Sequence, residues 1–295
     1  MSGEYVVLRG ATALALPLRK GQAMEIEFVQ GEDFLINWTA SDIEEVWFEA
    51  KISKNEKFVI LESSDPQVGE RLVGLLNTAL EMNPEFLTEK GTYNCDCRIM
   101  FERHWGWGTS STLISNLSWW ARIDPYEFNR RVGSGSGYDI ACARAESAIL
   151  FRLTGEGPDV EPVDLFPWFH HHLLFVYLGR KADTEEEIKK FKMRGPKLGE
   201  AVGEISEISE LLYQTRNLEE FIDGLQRHED IMSELLGKPA VGKTLFPDFR
   251  GAVKSLGAWG GDFVLAASTG SEHMNRDYFT GKGYPVHFNW DEIIL

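Results

Sequence analysis

From Tyr5 to Leu61 the chain alternates apolar and polar residues in short runs, VVL, ALALPL, MEIEF, FLINW and VWFEAKIS, separated by glycine, asparagine and charged turns. Such alternation predicts half-buried strands, and the short connections favour antiparallel pairing. The period then lengthens. Val68, Leu72, Leu75, Leu76 and Ala79 fall at helical spacing, which predicts a helix over Pro66 to Met82 that stops before Asn83 and Pro84. A strand is expected at Tyr93 to Phe101, a helix at Leu113 to Ala121, and strands at Ala148 to Leu153 and His172 to Leu178. From Thr184 to Leu236 the pattern is helical, with Thr184 as N-cap and Glu185 to Glu187 suited to the positive end of the helix dipole. Strands return at Asp262 to Ala267 and Val286 to Trp290. The layout is α+β, with sheets in two lobes, residues 1–155 and 156–295, and helices against them.

Between the strand at Tyr93 to Phe101 and the helix at Leu113 lies His104 to Thr112, HWGWGTSST. Gly106 and Gly108 sit where backbone N–H groups point outward at a helix start, a place that favours anions. Glycines allow close approach to a phosphate, and Thr109, Ser110, Ser111 and Thr112 offer hydroxyls to phosphate oxygens or magnesium. The structural alternative is an ordinary loop with an N-cap.

Two more glycine segments accompany it: Gly133 to Ala143, GSGSGYDIACA, and Lys254 to Ala267, KSLGAWGGDFVLAA, which runs from a polar turn into a strand. With GEYVVLRGATALALPL at Gly3 to Leu18, these segments resemble in order and spacing the motifs of the GHMP kinases (galactokinase, homoserine kinase, mevalonate kinase and phosphomevalonate kinase). GWGTSST at Gly106 to Thr112 is similar to the family's GLGSSAA loop. GAWGG at Gly257 to Gly261 is similar to its C-terminal glycine loop.

The resemblance implies the two-lobe kinase fold with an ATP cleft between the lobes. It implies ATP and Mg2+ as cofactors and transfer of the γ-phosphoryl group to a hydroxyl or phosphate of a small anionic metabolite. Asp139 takes the place of the catalytic aspartate, with a helix cap as its structural alternative, and Ser110 that of the residue holding magnesium and the β- and γ-phosphates. Nucleotide contacts are expected from Gly106, Trp107, Gly108, Thr109, Ser110, Ser111, Gly257, Ala258, Gly260 and Gly261, with Trp107 and Trp259 alternatively capping the core. Glu127, twelve residues before Asp139, is the second candidate magnesium ligand or else part of a solvated helix face. Glu4 of the GE dipeptide and Lys20 are expected on the substrate side, though a basic residue at a strand end is commonly just solvated. GSGSGYD is most similar to the mevalonate and phosphomevalonate branch, which points to isoprenoid precursors. A sugar kinase is one alternative. The other is a catalytically silent relative that binds nucleotide or metabolite, since only Met1 and Ser2 precede Gly3 where the family usually has a strand and a lysine.

Charge narrows the partners. A formal net charge of −16 and a pI near 4.9 lack the basic face that nucleic acid requires. No apolar run reaches the roughly 18 residues that span a bilayer, and no signal-peptide pattern opens the chain. A cytoplasmic monomer or homodimer acting on a small-molecule substrate is expected. Cys95, Cys97 and Cys142 form no disulfide framework; Cys95 and Cys97 share one face of a strand, as buried thiols. Within His170, His171 and His172, strand geometry lets only His170 and His172 converge, which argues against a metal.

Overall fold

A computed structural model describes residues 1–133, 135–179, 196–257 and 259–295. Thr184, Glu185 to Glu187 and Ala258 lie outside the described residues. In chain order the elements begin with β1 (Ala13–Ala15), β2 (Gln22–Gln30), β3 (Phe34–Ser41), β4 (Val46–Lys54), β5 (Phe58–Ser63), α1 (Pro66–Met82), β6 (Gly91–Ile99), α2 (Thr109–Ala121), α3 (Pro125–Val132) and α4 (Tyr138–Ala143). They continue with β7 (Ile149–Thr154), β8 (Gly157–Pro162), β9 (Leu173–Tyr177), α5 (Pro196–Gln214), α6 (Leu218–Leu236), α7 (Val241–Leu245), β10 (Gly251–Leu256), β11 (Phe263–Ser268), α8 (Glu272–Gly281), β12 (His287–Asn289) and α9 (Trp290–Ile293). The chain is α+β, as its pattern predicts. No helix among the described residues is long and apolar enough to cross a membrane.

Two compact units emerge, Met1–Arg19 together with Arg144–Leu295, and Lys20–Ala143. They divide the chain elsewhere than at residue 155, because β1 pairs with β7 and so draws the first residues to the C-terminal part.

In the first of these units, β1-β7-β8 form one antiparallel sheet and β10-β11-β9-β12 another. All six residues of β11, FVLAAS, are buried, as befits a strand with neighbours on both sides. Hydroxyls of α5 fasten the start of the chain: Thr12 N–H donates to Ser206 Oγ at 2.9 Å, and Ser209 Oγ donates to the Thr12 carbonyl at 2.8 Å. VVL is not a strand. Val6–Arg9 is a 3-10 turn closed by Gly10, whose N–H reaches back to the Val7 carbonyl at 3.1 Å. His170–His172 likewise forms a 3-10 turn rather than the head of β9, so the strand argument about alternate faces does not apply there.

The unit Lys20–Ala143 is a five-stranded sheet, β2-β6-β3-β4-β5, with helices on one face. Its pairs are antiparallel except β3 and β6, which run parallel. Ile36, Trp38, Phe48, Ile52 and Phe58 pack with Leu72 and Leu76 of α1, Leu117 of α2 and Phe128 of α3. Asp65 starts α1 by accepting from the N–H groups of Gln67 and Val68, with Pro66 pre-set for the first position. Cys95 and Cys97 face the core together, and burial pushes both thiols up, Cys97 to about 12; burial does the same to Cys142.

Strand β5 lies at the sheet's edge and is pinned by one amide. Asn77 Oδ1 accepts from the Phe58 N–H at 2.8 Å while its Nδ2 donates to the Phe58 carbonyl at 3.1 Å. Asn77→Leu strips both bonds and leaves those backbone groups half-buried; we expect about 1–3 kcal/mol less stability, read as a lower midpoint in urea unfolding with an unchanged slope.

Candidate active site

The hydroxyl segment folds as the opening of α2 itself. Gly108 is its N-cap, in the left-handed region at φ 82°, where a Cβ would meet Ser111 Oγ at 2.9 Å, so the sequence needs glycine there. Ser111 Oγ donates to the Gly108 carbonyl at 2.8 Å, and Thr112 Oγ1 to Gln22 Oε1, also at 2.8 Å. These bonds turn two hydroxyls back onto the protein and leave Ser110 exposed on the first turn. No side chain caps this helix start. A thirteen-residue helix that offers its first N–H groups uncapped, behind a glycine, can take an anion.

Around this turn the predicted residues divide. Trp107 meets Trp105 edge-to-face at 4.7 Å between ring centroids and Phe101 at a tilt at 5.5 Å, so part of the indole belongs to an aromatic cluster. Asp139 is exposed in the first turn of α4, inside the helix rather than at its cap, and α4 packs against α2. Ser110 and Asp139 therefore open two neighbouring helices of one unit. Glu127 is engaged: Arg130 and Arg131 each hold one of its carboxylate oxygens, the latter at 2.9 Å. These hydrogen bonds, Arg131 first, keep its carboxyl below the usual range. Lys20 is half-buried just before β2.

In the other compact unit, the C-terminal loop and the GE turn meet. Gly257 and Gly260 have φ of 69° and 78°, and Gly261 is buried. Trp259 is buried; its backbone N–H donates to Tyr5 Oη at 2.8 Å, and its indole Nε1 donates to the Pro239 carbonyl at 3.3 Å. Tyr5 itself holds φ 66°, an outlier for a bulky residue that the surrounding structure must impose. Beside it, Lys254 Nζ donates to both carboxylate oxygens of Glu4 at 3.2 Å. Burial alone would raise the Glu4 carboxyl; Lys254, then the Met1 amino group and His228, outweigh it and hold Glu4 at about 2.

Lys254 was not legible as a site residue, because KSL reads as a polar turn. It is instead the centre of β10 and 1% exposed. The missed signal was its setting in GAVKSL, where a lone lysine interrupts a small-residue run that the neighbouring strand buries. Among the described residues no group of three or more histidine, cysteine, aspartate or glutamate side chains could hold a metal. A magnesium ion carried on nucleotide phosphates needs only one or two protein oxygens, a demand that the exposed Ser110 hydroxyl fits.

Comparison with known proteins places the architecture. No family model and no curated protein sequence matches the chain. Solved structures do. A Streptococcus pneumoniae phosphomevalonate kinase, in complex with phosphomevalonate and AMPPNP, superposes with TM-score 0.66 at 15% identity, covering 98% of this chain and 96% of that one. An L. major mevalonate kinase in complex with R-mevalonate gives 0.62 at 13% identity over 97% and 91% of the two chains. A D-glycero-D-manno-heptose 1-phosphate kinase from Bacteriodes thetaiotaomicron gives 0.64 at 14% over 96% and 87%. Near-complete coverage in both directions by kinases of several substrates makes the assignment one of fold: the chain has the fold of the GHMP kinases.

Proposed function

We propose that this protein is an ATP- and magnesium-dependent kinase that phosphorylates a hydroxyl or phosphate of a small anionic metabolite, with mevalonate or phosphomevalonate the leading acceptors. One observation carries the reading: the uncapped, glycine-led start of α2 with the Ser110 hydroxyl exposed on it. The fold supports it, since solved chains of the same architecture include kinases of mevalonate and phosphomevalonate. The heptose-phosphate kinase among them keeps a sugar acceptor as the second reading.

Phosphoryl transfer leaves little covalent work to the protein, so its residues act by alignment and charge. The N–H groups at the head of α2 would meet the negative oxygens of the nucleotide phosphates, and Thr109 and Ser110 would add hydroxyl donors, with Ser111 joining by releasing the Gly108 carbonyl. Magnesium, when bound, would neutralise charge between the β- and γ-phosphates; Ser110 would hold it, with Glu127 joining by releasing an arginine. Asp139 would orient an acceptor hydroxyl and take its proton. Its carboxylate is exposed at the start of α4, within reach of a diffusing metabolite. The loop at Gly257 to Gly261 would give its backbone to the nucleotide. Glu4 and Lys20 would face the acceptor.

Three variants and the wild type test this. Ser110→Ala should reduce turnover by roughly a hundredfold or more, the scale of one lost preorganised donor; equal rates at saturating ATP and magnesium remove Ser110 from the site. Asp139→Asn should suppress acceptor-dependent ADP formation while nucleotide binding persists, because proton acceptance is lost and shape is kept. Wild type that binds ATP yet turns over neither mevalonate, phosphomevalonate nor any of a panel of sugars would leave a binding protein in place of the enzyme. Gly260→Val puts a β-branched residue at φ 78°, and we expect weaker nucleotide binding with an unchanged circular dichroism spectrum. Unaltered affinity would reduce the loop to a connection.

A further inference from the structure

Four ionisable side chains from three distant segments cluster together, three of them buried and one half-buried: His228 and Glu229 on α6, Lys254 on β10, and Glu4 in the turn before Val6. Lys254 engages all three of its donors, two on the Glu4 oxygens and one on the Ser255 carbonyl at 2.8 Å. His228 is neutral. Its Nε2 accepts from the Gly3 N–H at 3.1 Å, which puts its proton on Nδ1, 3.8 Å from Glu229 Oε1. Burial drives the His228 imidazole well below its ordinary range, with Lys254 adding to the effect, and pushes Glu229 up to about 7. Lys254 is 4.0 Å from Glu229 against 3.2 Å from Glu4, so the ammonium answers chiefly to Glu4.

Of the four, only Glu4 reaches the surface, with 14% of its side chain exposed against 5% or less for the others. Burying an ion pair gives little or no stability over well-packed apolar side chains of the same volume, whereas removing one partner is costly. The pair therefore does something that stability does not require. A carboxylate held from behind by a lysine is fixed in position, ionised, and able only to accept hydrogen bonds.

We propose that Lys254 is the positioning residue for Glu4, holding it as a fixed acceptor for a hydroxyl of the phosphorylated metabolite, whose anionic group must bind elsewhere. This rests on the reading that Glu4 faces the acceptor. Lys254 does not touch substrate; it acts through Glu4, and the Trp259 to Tyr5 bond braces the adjoining residue of the same turn.

The test uses the full chain and the variants Lys254→Met, Glu4→Gln and the double variant. Carbon-13 NMR of the side-chain carboxyls, with the Glu4 signal identified by its loss in Glu4→Gln, follows ionisation. The groups facing Glu4 are Lys254, His228, Glu229 and the Met1 amino group. In wild type the Glu4 signal should stay flat above about pH 4, and in Lys254→Met it should titrate in roughly the pH 5 to 9 range, burial being left without its counter-charge. In initial rates, Lys254→Met should raise the acceptor KM about tenfold or more with the ATP KM nearly unchanged, and the double variant should match Glu4→Gln. An unshifted Glu4 titration in Lys254→Met overturns the proposal. So does an acceptor KM in the double variant beyond that of Glu4→Gln. Should Lys254→Met fail to fold, the comparison of Glu4→Gln with the double variant decides alone: Glu4→Gln leaves Lys254 facing Glu229 at 4.0 Å, and the double variant buries no charge from this pair. Acceptor binding without turnover in wild type overturns the kinase reading only, and calorimetric acceptor affinity then takes the place of KM in judging Lys254. Wild type that binds nucleotide but none of the acceptors overturns both.

Discussion

A lysine ammonium cannot be taken out of water without a counter-charge, and in this protein that demand reaches across most of the sequence. Lys254 lies in the middle of a buried strand, and the carboxylate that answers it belongs to the fourth residue of the chain. The start of the chain must therefore come to β10. Its path is secured by the hydroxyls of α5 and by the pairing of β1 with β7, and a strained Tyr5 backbone is accepted along the way. One electrostatic requirement thus fixes which turn must face β10, alongside the hydrogen bonds that hold that turn and the C-terminal loop together.

In the unit Lys20–Ala143 the informative polar groups lie at a helix start that no side chain of the protein caps. The head of α2 has no side-chain cap, while Asp65, Asp124 and Asn217 each cap α1, α3 and α6 in the ordinary way. Where α1, α3, α6 and α8 each take a side-chain cap, the glycine at α2 leaves N–H groups that can take an external anion. The sheet beneath gives that helix a rigid seat, through Gln22 on Thr112 and through the Asn116 amide on the Gln22 carbonyl at 3.0 Å.

Much of this was readable from the residues. Helix α1 was legible because its spacing, proline start and Asn-Pro stop all agree, and β3, β4 and β6 because one buried face imposes strict alternation. VVL misled, since three apolar residues are as compatible with one buried 3-10 turn as with a strand, and only the positive φ at Tyr5 decides. The parallel pairing of β3 with β6 was hidden because α1 and two other strands intervene in sequence. Strand β10 was hidden by its own lysine, whose polarity reads as surface until its partner at Glu4 is known. For the site, the glycine and hydroxyl motif located α2's opening, but whether Glu127 was occupied by arginines depended on a helical register that spacing from Asp139 did not convey.

The three cysteines carry a practical consequence. Cys95 and Cys97 are buried and Cys142 is half-buried, and burial raises all three thiols, which disfavours the thiolate that reacts with maleimides and haloacetamides. The native chain is accordingly a quiet background for site-selective labelling. A single exposed position converted to cysteine, such as Trp119→Cys on α2, where the indole is 76% exposed, would carry a fluorophore without first stripping Cys95 and Cys97 from the core they fill.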